Sequence, residues 1–429
     1  MKKQEMSITE KVQLFLMAMM FLGFMFSRAL LSISMIISFV VAIYIFYQKK
    51  HLWKKVAKTK EYFMVVLFFI IHLISGFWAN NLAVWSLDIQ LKLPLLVLPI
   101  ILFSYPFYKK KFFQLAIYTL QAVLLLGIAY TIFNLLNDIP RFLEGRRIVG
   151  PVGNGDYLRF GMALILGINL SVYSLIKYRK EHNAKIKNFQ IAFIILSVVY
   201  LHIQSSKLGL ISLYVLGAFL TVILLKAKWG WKKLSLVFAF GIMGIYFAGR
   251  TIPVFKYQIE LAQLELEAWK KADIDAYNES GVSSFVPRVI SYDVAWATIK
   301  ESPLIGYGAG NVLPTMENVY EEDYPGYNAI ITVHNQVLNS MVAFGIPVGI
   351  GVLLLLLWPI IASPSLFEKA NALALFTACL VEAMLEIQHG LFVYLFFTFW
   401  WIAKREMSLL HDTDSGKTVA LDFIDSNLK

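Results

Sequence analysis

The sequence has few charged residues and only one cysteine, which exclude a class of protein and a type of cross-link respectively. Charged residues make up 16% of the 429 positions, whereas 58% are hydrophobic and the mean hydropathy is +0.64. This balance excludes an ordinary soluble domain. Cys379 has no second cysteine to pair with, so an intramolecular disulfide is excluded. The apolar N-terminus has no small-residue cleavage site, which favours an uncleaved first helix over a signal peptide.

Long runs of apolar residues make up most of the sequence. About 17 to 25 helical residues cross the hydrocarbon layer of a bilayer. The predicted fold class is therefore all-α, a polytopic membrane protein with about twelve transmembrane helices and no internal repeat. The predicted spans lie near residues 11–26, 29–47, 62–78, 91–106, 112–136, 157–176, 188–203, 208–225, 232–248, 334–361, 370–386 and 390–403.

Lysine-rich loops follow the even-numbered spans, as the positive-inside rule requires of cytoplasmic loops. The net charge of +11 thus indicates topology rather than nucleic-acid binding. We expect both termini in the cytoplasm. The predicted organisation is helices 1–9 in residues 1–248, an outward-facing loop in 249–333, helices 10–12 in 334–403 and a cytoplasmic tail in 404–429, unstructured after Met407.

The long loop contains two predicted amphipathic helices. The second, "SSFVPRVISYDVAWATIKESP", has Ser283 or Ser284 as its cap, Pro287 in its first turn and Pro303 as its stop. The acidic "DID" at 273–275 is expected on a solvated helix face. The "GYGAGN" that follows Ile305 lacks the lysine of a phosphate-binding loop, which favours a tight turn over a nucleotide site.

Several basic residues are predicted on the outer side, against the positive-inside rule. Each alone fits a side chain that reaches lipid headgroups. Together they indicate an anion site, and guanidinium groups fit a diphosphate well. These residues are Arg141, Arg146, Arg147, Arg159, Lys207 and Arg288.

His334 and Asn335 stand at the start of a predicted span, with Thr332 as its N-cap. A capping or interface role and a role as general base both fit a histidine there. Further along, Glu382, Glu386 and His389 have the spacing of one helix face. We interpret these carboxylates as ion-pair partners of Lys207 or Arg288 rather than as metal ligands.

A long outer loop that contains "PRVISYDVAWATIKESPLIGYGAGN" and is followed by "HNQVLNSMVAFGIPVG" resembles the O-antigen ligase and polymerase superfamily. The related core region spans residues 145–361. The resemblance implies a metal-independent, inverting glycosyltransferase of the membrane-embedded C type, with no cofactor and no nucleic acid. Its donor would be a glycan on undecaprenyl diphosphate, and its acceptor a hydroxyl on the lipid A core, a lipid-linked glycan or a protein. The site would face the periplasm from the cytoplasmic (inner) membrane, among membrane lipids.

The resemblance also implies roles for single residues. His334 would be the catalytic base, and Arg288 and Lys207 would stabilise the leaving group. The predicted substrate contacts are Asn335, Arg146, Arg147, Arg159, Tyr292, Glu382 and Glu386. Two features depart from the family pattern: "SSKLG" has Lys207 where the family has arginine, and the glutamate that is common shortly before the family's glycines is missing, since Ala343 and Phe344 stand there.

Three alternatives stay open. A polymerase of the same superfamily would use the same donor and differ in its acceptor. A lipid-linked glycan transporter would also need an anion site, but no inverted repeat is evident. A non-catalytic scaffold would have no need of His334 and Arg288.

Overall fold

The computed structural model describes residues 5–152, 157–270, 286–328 and 330–414, and every regular element within them is helical. Ten α-helices precede residue 205: α1 Ile8–Phe26, α2 Arg28–Gln48, α3 His51–Lys58, α4 Lys60–Ile74, α5 Leu82–Lys92, α6 Pro94–Ser104, α7 Lys110–Asn137, α8 Ile139–Leu143, α9 Tyr157–Lys177 and α10 Ala184–Gln204. Eight follow: α11 Lys207–Thr251, α12 Pro253–Lys270, α13 Val286–Glu301, α14 Val312–Asp323, α15 Gln336–Phe344, α16 Ile346–Ala362, α17 Leu366–Val381 and α18 Gln388–Asp414.

Nine helical stretches within the described residues are long and apolar enough to cross a membrane, and all of them end by Thr251. The all-helical, multi-pass membrane class is thus confirmed, although nine stretches of this kind stand where twelve spans were predicted. α11 supplies two of them, Lys207–Leu225 and Gly230–Thr251. Gly230 separates the two because its φ of +64° and ψ of 174° are not helical.

The predicted tenth span, 334–361, is two helices rather than one. The break is at Gly345, whose φ is +85°. A Cβ atom on Gly345 would lie 2.3 Å from the carbonyl oxygen of Leu304, so only glycine allows this close approach. The break therefore lets the end of α15 pack against the turn that follows α13.

The predicted eleventh span, 370–386, stops being α-helical at Val381. A non-helical segment follows, with a 3₁₀ turn at Met384–Glu386, before α18 begins. Irregular backbone within a membrane protein is tolerated where protein surrounds it, and Met384 and Leu385 are buried. α18 then continues to Asp414, so the prediction of an unstructured chain after Met407 is wrong for residues 408–414.

α9 and α18 form the centre of the bundle. In α9, 78% of the membrane-length window is buried, compared with 11% in Gly230–Thr251. The side chain of Trp400 in α18 is fully buried. Edge-to-face contacts join Phe21 of α1 to Phe396 at 4.8 Å and to Phe392 at 5.2 Å between ring centroids. In a bilayer such contacts stabilise by close packing more than by removal from water.

Within its described residues, the long segment after α11 contains helices α12 and α13 where two amphipathic helices were predicted, and a further helix, α14. Pro287 stands in the first turn of α13, and Pro303 follows its end, in agreement with the sequence. The predicted caps Ser283 and Ser284 and the "DID" at 273–275 lie outside the described residues.

Candidate active site

His334 and Glu382 form the central contact of the candidate site. The Nδ1 atom of His334 lies 2.9 Å from Oε2 of Glu382. The carboxylate is 7% exposed and the imidazole 26%, so the pair is sheltered while the ring keeps access to solvent. An ionised carboxylate has no hydrogen to donate, so the hydrogen of this contact is on Nδ1 of His334. In the neutral ring Nε2 is then an acceptor. The geometry thus suits Nε2 to remove a proton from a hydroxyl group.

Asn335 fixes the backbone beside His334. Its Oδ1 accepts from the backbone N–H groups of Val337 at 2.9 Å and Leu338 at 3.1 Å, which makes Asn335 the N-cap of α15. Its Nδ2 donates to the carbonyl of Leu380 at 3.0 Å. The prediction of Thr332 as N-cap is therefore wrong. His334 precedes the helix instead of lying in its first turn.

Tyr292 of α13 also contacts this backbone. Its hydroxyl donates to the carbonyl oxygen of His334 at 2.9 Å. Burial raises the pKa of this hydroxyl; Arg288 opposes the shift and Glu382 adds to it. Tyr292 thereby ties the long segment to the residue at the centre of the site.

Glu382 also contacts two arginines. Its Oε1 lies 3.2 Å from Nη2 of Arg159, which is in the first turn of α9. Its Oε2 lies 3.4 Å from Nη2 of Arg288 on α13. Burial raises the pKa of the Glu382 carboxyl, but the hydrogen bond from His334 and the charges of Arg159, His334 and Arg288 outweigh it, so this pKa lies below its ordinary value. Glu382 therefore joins the imidazole of His334 to two guanidinium groups from different helices.

The prediction that Glu382, Glu386 and His389 share one helix face is wrong. The helix ends before Glu382, whose extended backbone turns its carboxylate to His334. Glu386 accepts instead from Lys92 at 2.6 Å, and His389 packs on the ring of Phe24 at 5.6 Å between centroids. The predicted pairing of a carboxylate with Arg288 is confirmed at Glu382.

Three predicted basic residues lie around the C-terminal end of α10 and the start of α11. Arg147 donates from Nε to the carbonyl of Gln204 at 3.3 Å, and its guanidinium lies 4.8 Å from the ring centroid of Tyr157. Arg146 pairs with Glu144 at 3.3 Å, with both side chains exposed. Lys207 is the first residue of α11.

Lys207 also lines an apolar cavity of about 490 Å³ between α11 and α12. Its lining includes Leu210, Tyr214, Phe255 and Ile259. The cavity thus combines apolar walls with one lysine side chain.

The glycines of "GYGAGN" make the tight turn that was predicted. Gly306 and Gly308 have φ values of +62° and +91°. The backbone N–H of Gly308 donates to the carbonyl of Ala343 at 2.7 Å, and a Cβ on Gly306 would lie 2.5 Å from the backbone of Phe344. The turn therefore packs directly on the end of α15, the helix that begins just after His334.

Lys92 was missed by the sequence analysis. It lies inside a predicted span, fully buried, and its Nζ donates to Glu386 and, at 2.7 Å, to the carbonyl of Leu385. The available signal was a lysine within the apolar stretch "IQLKLPLLVLPI", since ionisable residues in spans tend to have defined partners.

A model of a protein family described as O-antigen ligase matches residues 192–353. The matched range lies within the predicted core region 145–361 and includes Lys207, Arg288 and His334. Arg159 and Glu382, which complete the charged cluster, lie outside it. No curated protein matches the chain. Over residues 192–353 the resemblance to the O-antigen ligase superfamily is confirmed.

Proposed function

We propose that this membrane protein is an O-antigen ligase-type glycosyltransferase of the membrane-embedded C type. It transfers a glycan from undecaprenyl diphosphate to an acceptor hydroxyl at the outer face of the cytoplasmic membrane, with both termini in the cytoplasm. The observation that carries the proposal is the His334–Glu382 contact flanked by Arg159 and Arg288. A general base close to guanidinium groups that can stabilise a departing diphosphate is what this reaction requires.

In the proposed reaction, Nε2 of His334 takes the proton of the acceptor hydroxyl while the hydroxyl oxygen forms a bond to the anomeric carbon. The bond from that carbon to the diphosphate oxygen breaks, and the leaving group keeps the electron pair. Attack opposite the leaving group inverts the anomeric configuration. Glu382 holds the ring by Nδ1 and stabilises the imidazolium that forms.

Arg288 and Arg159 would stabilise the charge that grows on the departing diphosphate. Lys207, which lines the apolar cavity, would contact the same group, and the cavity would suit the lipid chain of the donor. Because the residues themselves supply the base and the positive charge, we propose that the reaction needs no metal. A metal chelator should therefore leave the rate unchanged.

The test is transfer by purified protein in detergent, with a lipid-linked glycan donor and an acceptor. The His334→Ala variant should lose about 10²- to 10⁴-fold in rate, the usual contribution of a general base. A folded variant with wild-type turnover would contradict the assignment. Transfer in detergent, where there is no membrane to cross, would also exclude a function limited to transport.

A polymerase of the same superfamily is distinguished by its acceptor. In a deletion strain, loss of a ligase should remove all glycan from the acceptor while long lipid-linked chains accumulate. Loss of a polymerase should leave the acceptor with a single repeat. A gel of the surface glycan separates the two outcomes.

A further inference from the structure

The segment between α17 and α18 carries Glu382, and its shape is set by contacts at its other end. The backbone N–H of Met384 donates to the carbonyl of Glu382 at 2.9 Å. A Cβ on Gly390 would lie 2.1 Å from the carbonyl oxygen of Met384, so the first turn of α18 lies directly against the segment. Any shift of Leu385 or Glu386 would therefore move Glu382.

Lys92, the last residue of α5, holds this segment from one side. Its side chain is completely buried. Its Nζ lies 2.7 Å from the carbonyl oxygen of Leu385, 2.6 Å from Oε2 of Glu386 and 3.8 Å from Oδ1 of Asp88. One ammonium group thus contacts both the backbone and a side chain of the same turn.

Gln336 holds the segment from the other side. Its Nε2 donates to Oε1 of Glu386 at 2.6 Å, and its Oε1 accepts from the backbone N–H of Leu385 at 2.7 Å. Gln336 is fully buried and stands two residues after His334. The same two residues, Leu385 and Glu386, are therefore joined to Lys92 and to the start of α15.

We propose that Lys92 is a positioning residue for the His334–Glu382 pair. Through Glu386 and Gln336 it aligns the two chain segments that carry the imidazole and the carboxylate. A buried ion pair stabilises a fold no better than apolar side chains of the same shape, so its directed hydrogen bonds to one turn are the informative feature. This inference rests on the proposed function, because alignment of a base matters only if the base acts.

The test compares transfer rates of variants that keep the fold. Lys92→Met alone would leave the Glu386 carboxylate unpaired, so the main variant is Lys92→Met combined with Glu386→Gln, which removes both charges. Lys404→Met is the matched control. It removes another lysine of the bundle, on α18 sixteen residues beyond Gln388 and therefore about 24 Å along the helix. Thermal unfolding in detergent should show that the wild type, the double variant and Lys404→Met all fold.

We expect kcat of the double variant to fall about 10²-fold, the typical effect of a displacement of about 1 Å at a reacting group. The KM for the acceptor should change little, and Lys404→Met should retain the wild-type kcat. In the Glu382→Gln background the same double change should cost almost nothing further, because the acceptor at Nε2 that the alignment serves is already lost. The pH–rate profile of the double variant should also approach that of Glu382→Gln. Glu382 is the charged group that contacts His334 in this comparison, and Arg159 and Arg288 contact the same carboxylate.

A folded double variant with the wild-type kcat would overturn the positioning role. The role would also be overturned if the double change lowered kcat in the Glu382→Gln background by the same factor as in the wild type. Either result leaves the proposed function intact if the wild type transfers glycan and His334→Ala does not. An inactive wild type would instead overturn both proposals.

Discussion

Oε2 of Glu382 lies 2.9 Å from Nδ1 of His334, across the gap between the end of α17 and the start of α15. Both residues lie just outside helices, where the side chain can point across the end of the bundle. The helices on either side hold their backbones, through the Asn335 cap and the bond from the N–H of Glu382 to Ala378. A pair supported in this way needs little reorganisation when a substrate arrives.

Replacing Glu382 by glutamine should slow transfer while the shape of the site is kept. An amide can donate to Nδ1, which puts the hydrogen on Nε2 and removes the acceptor that the reaction needs. In the Ser-His-Asp proteases, the corresponding change costs about 10⁴-fold. We expect a loss of about 10²-fold or more in kcat, measured in the detergent transfer assay. A Glu382→Gln protein with wild-type kcat would show that the carboxylate does not orient His334.

Changes at Lys207 should separate charge from geometry. Lys207→Arg keeps the charge and adds the forked donor that the family has at this position, so the KM for the donor should fall or stay the same. Lys207→Met removes a charged hydrogen bond to the proposed diphosphate and should raise the donor KM by about 10-fold or more. Lys256→Met, which removes an exposed lysine of α12, is the control and should leave the donor KM unchanged.

The sequence identified several members of the site one by one but not their arrangement. Arg288, His334 and Glu382 could each be singled out as a polar group near an apolar run. Their meeting depends on tertiary packing, since Arg159 and Glu382 are 223 positions apart. The one arrangement that was inferred from spacing, a shared helix face, failed because a regular helix was assumed beyond Val381.

Helix existence was more predictable than helix ends. The first nine predicted spans correspond to nine membrane-length stretches, because long apolar runs carry their own signal. The break at Gly345 depends on the close approach of Leu304, and the break after Val381 places Glu382 against His334, Arg159 and Arg288. Hydropathy carries no information on either set of neighbours. Lys92 was missed for a related reason: one charge in an apolar window hardly changes its mean hydropathy.

Alanine at Gly306 should destabilise the protein far more than alanine at Gly326. Both glycines have positive φ, +62° and +82°, so both substitutions strain the backbone by about 1 kcal/mol or more. A Cβ on Gly306 would also lie 2.5 Å from the backbone of Ala343, whereas among the described residues no atom beyond the chain neighbours lies within 4 Å of one on Gly326. Thermal unfolding in detergent should show a much larger drop in Tm for Gly306→Ala. Equal drops would indicate that the turn does not pack on α15.

Acidification should remove the stability that Glu382 contributes. Folding lowers the pKa of this carboxyl below its ordinary value of 4.5, so the folded state prefers the ionised form. The resulting stabilisation is complete above the ordinary pKa and is lost as the pH falls through the lowered one. The Glu382→Gln protein has no such group. The difference in Tm between wild type and variant should therefore shrink as the pH falls below about 4.5. A difference that grows over that range, where the carboxyl itself titrates, would mean that the contacts with His334, Arg159 and Arg288 do not favour the carboxylate, and the charge arrangement proposed for the site would be wrong.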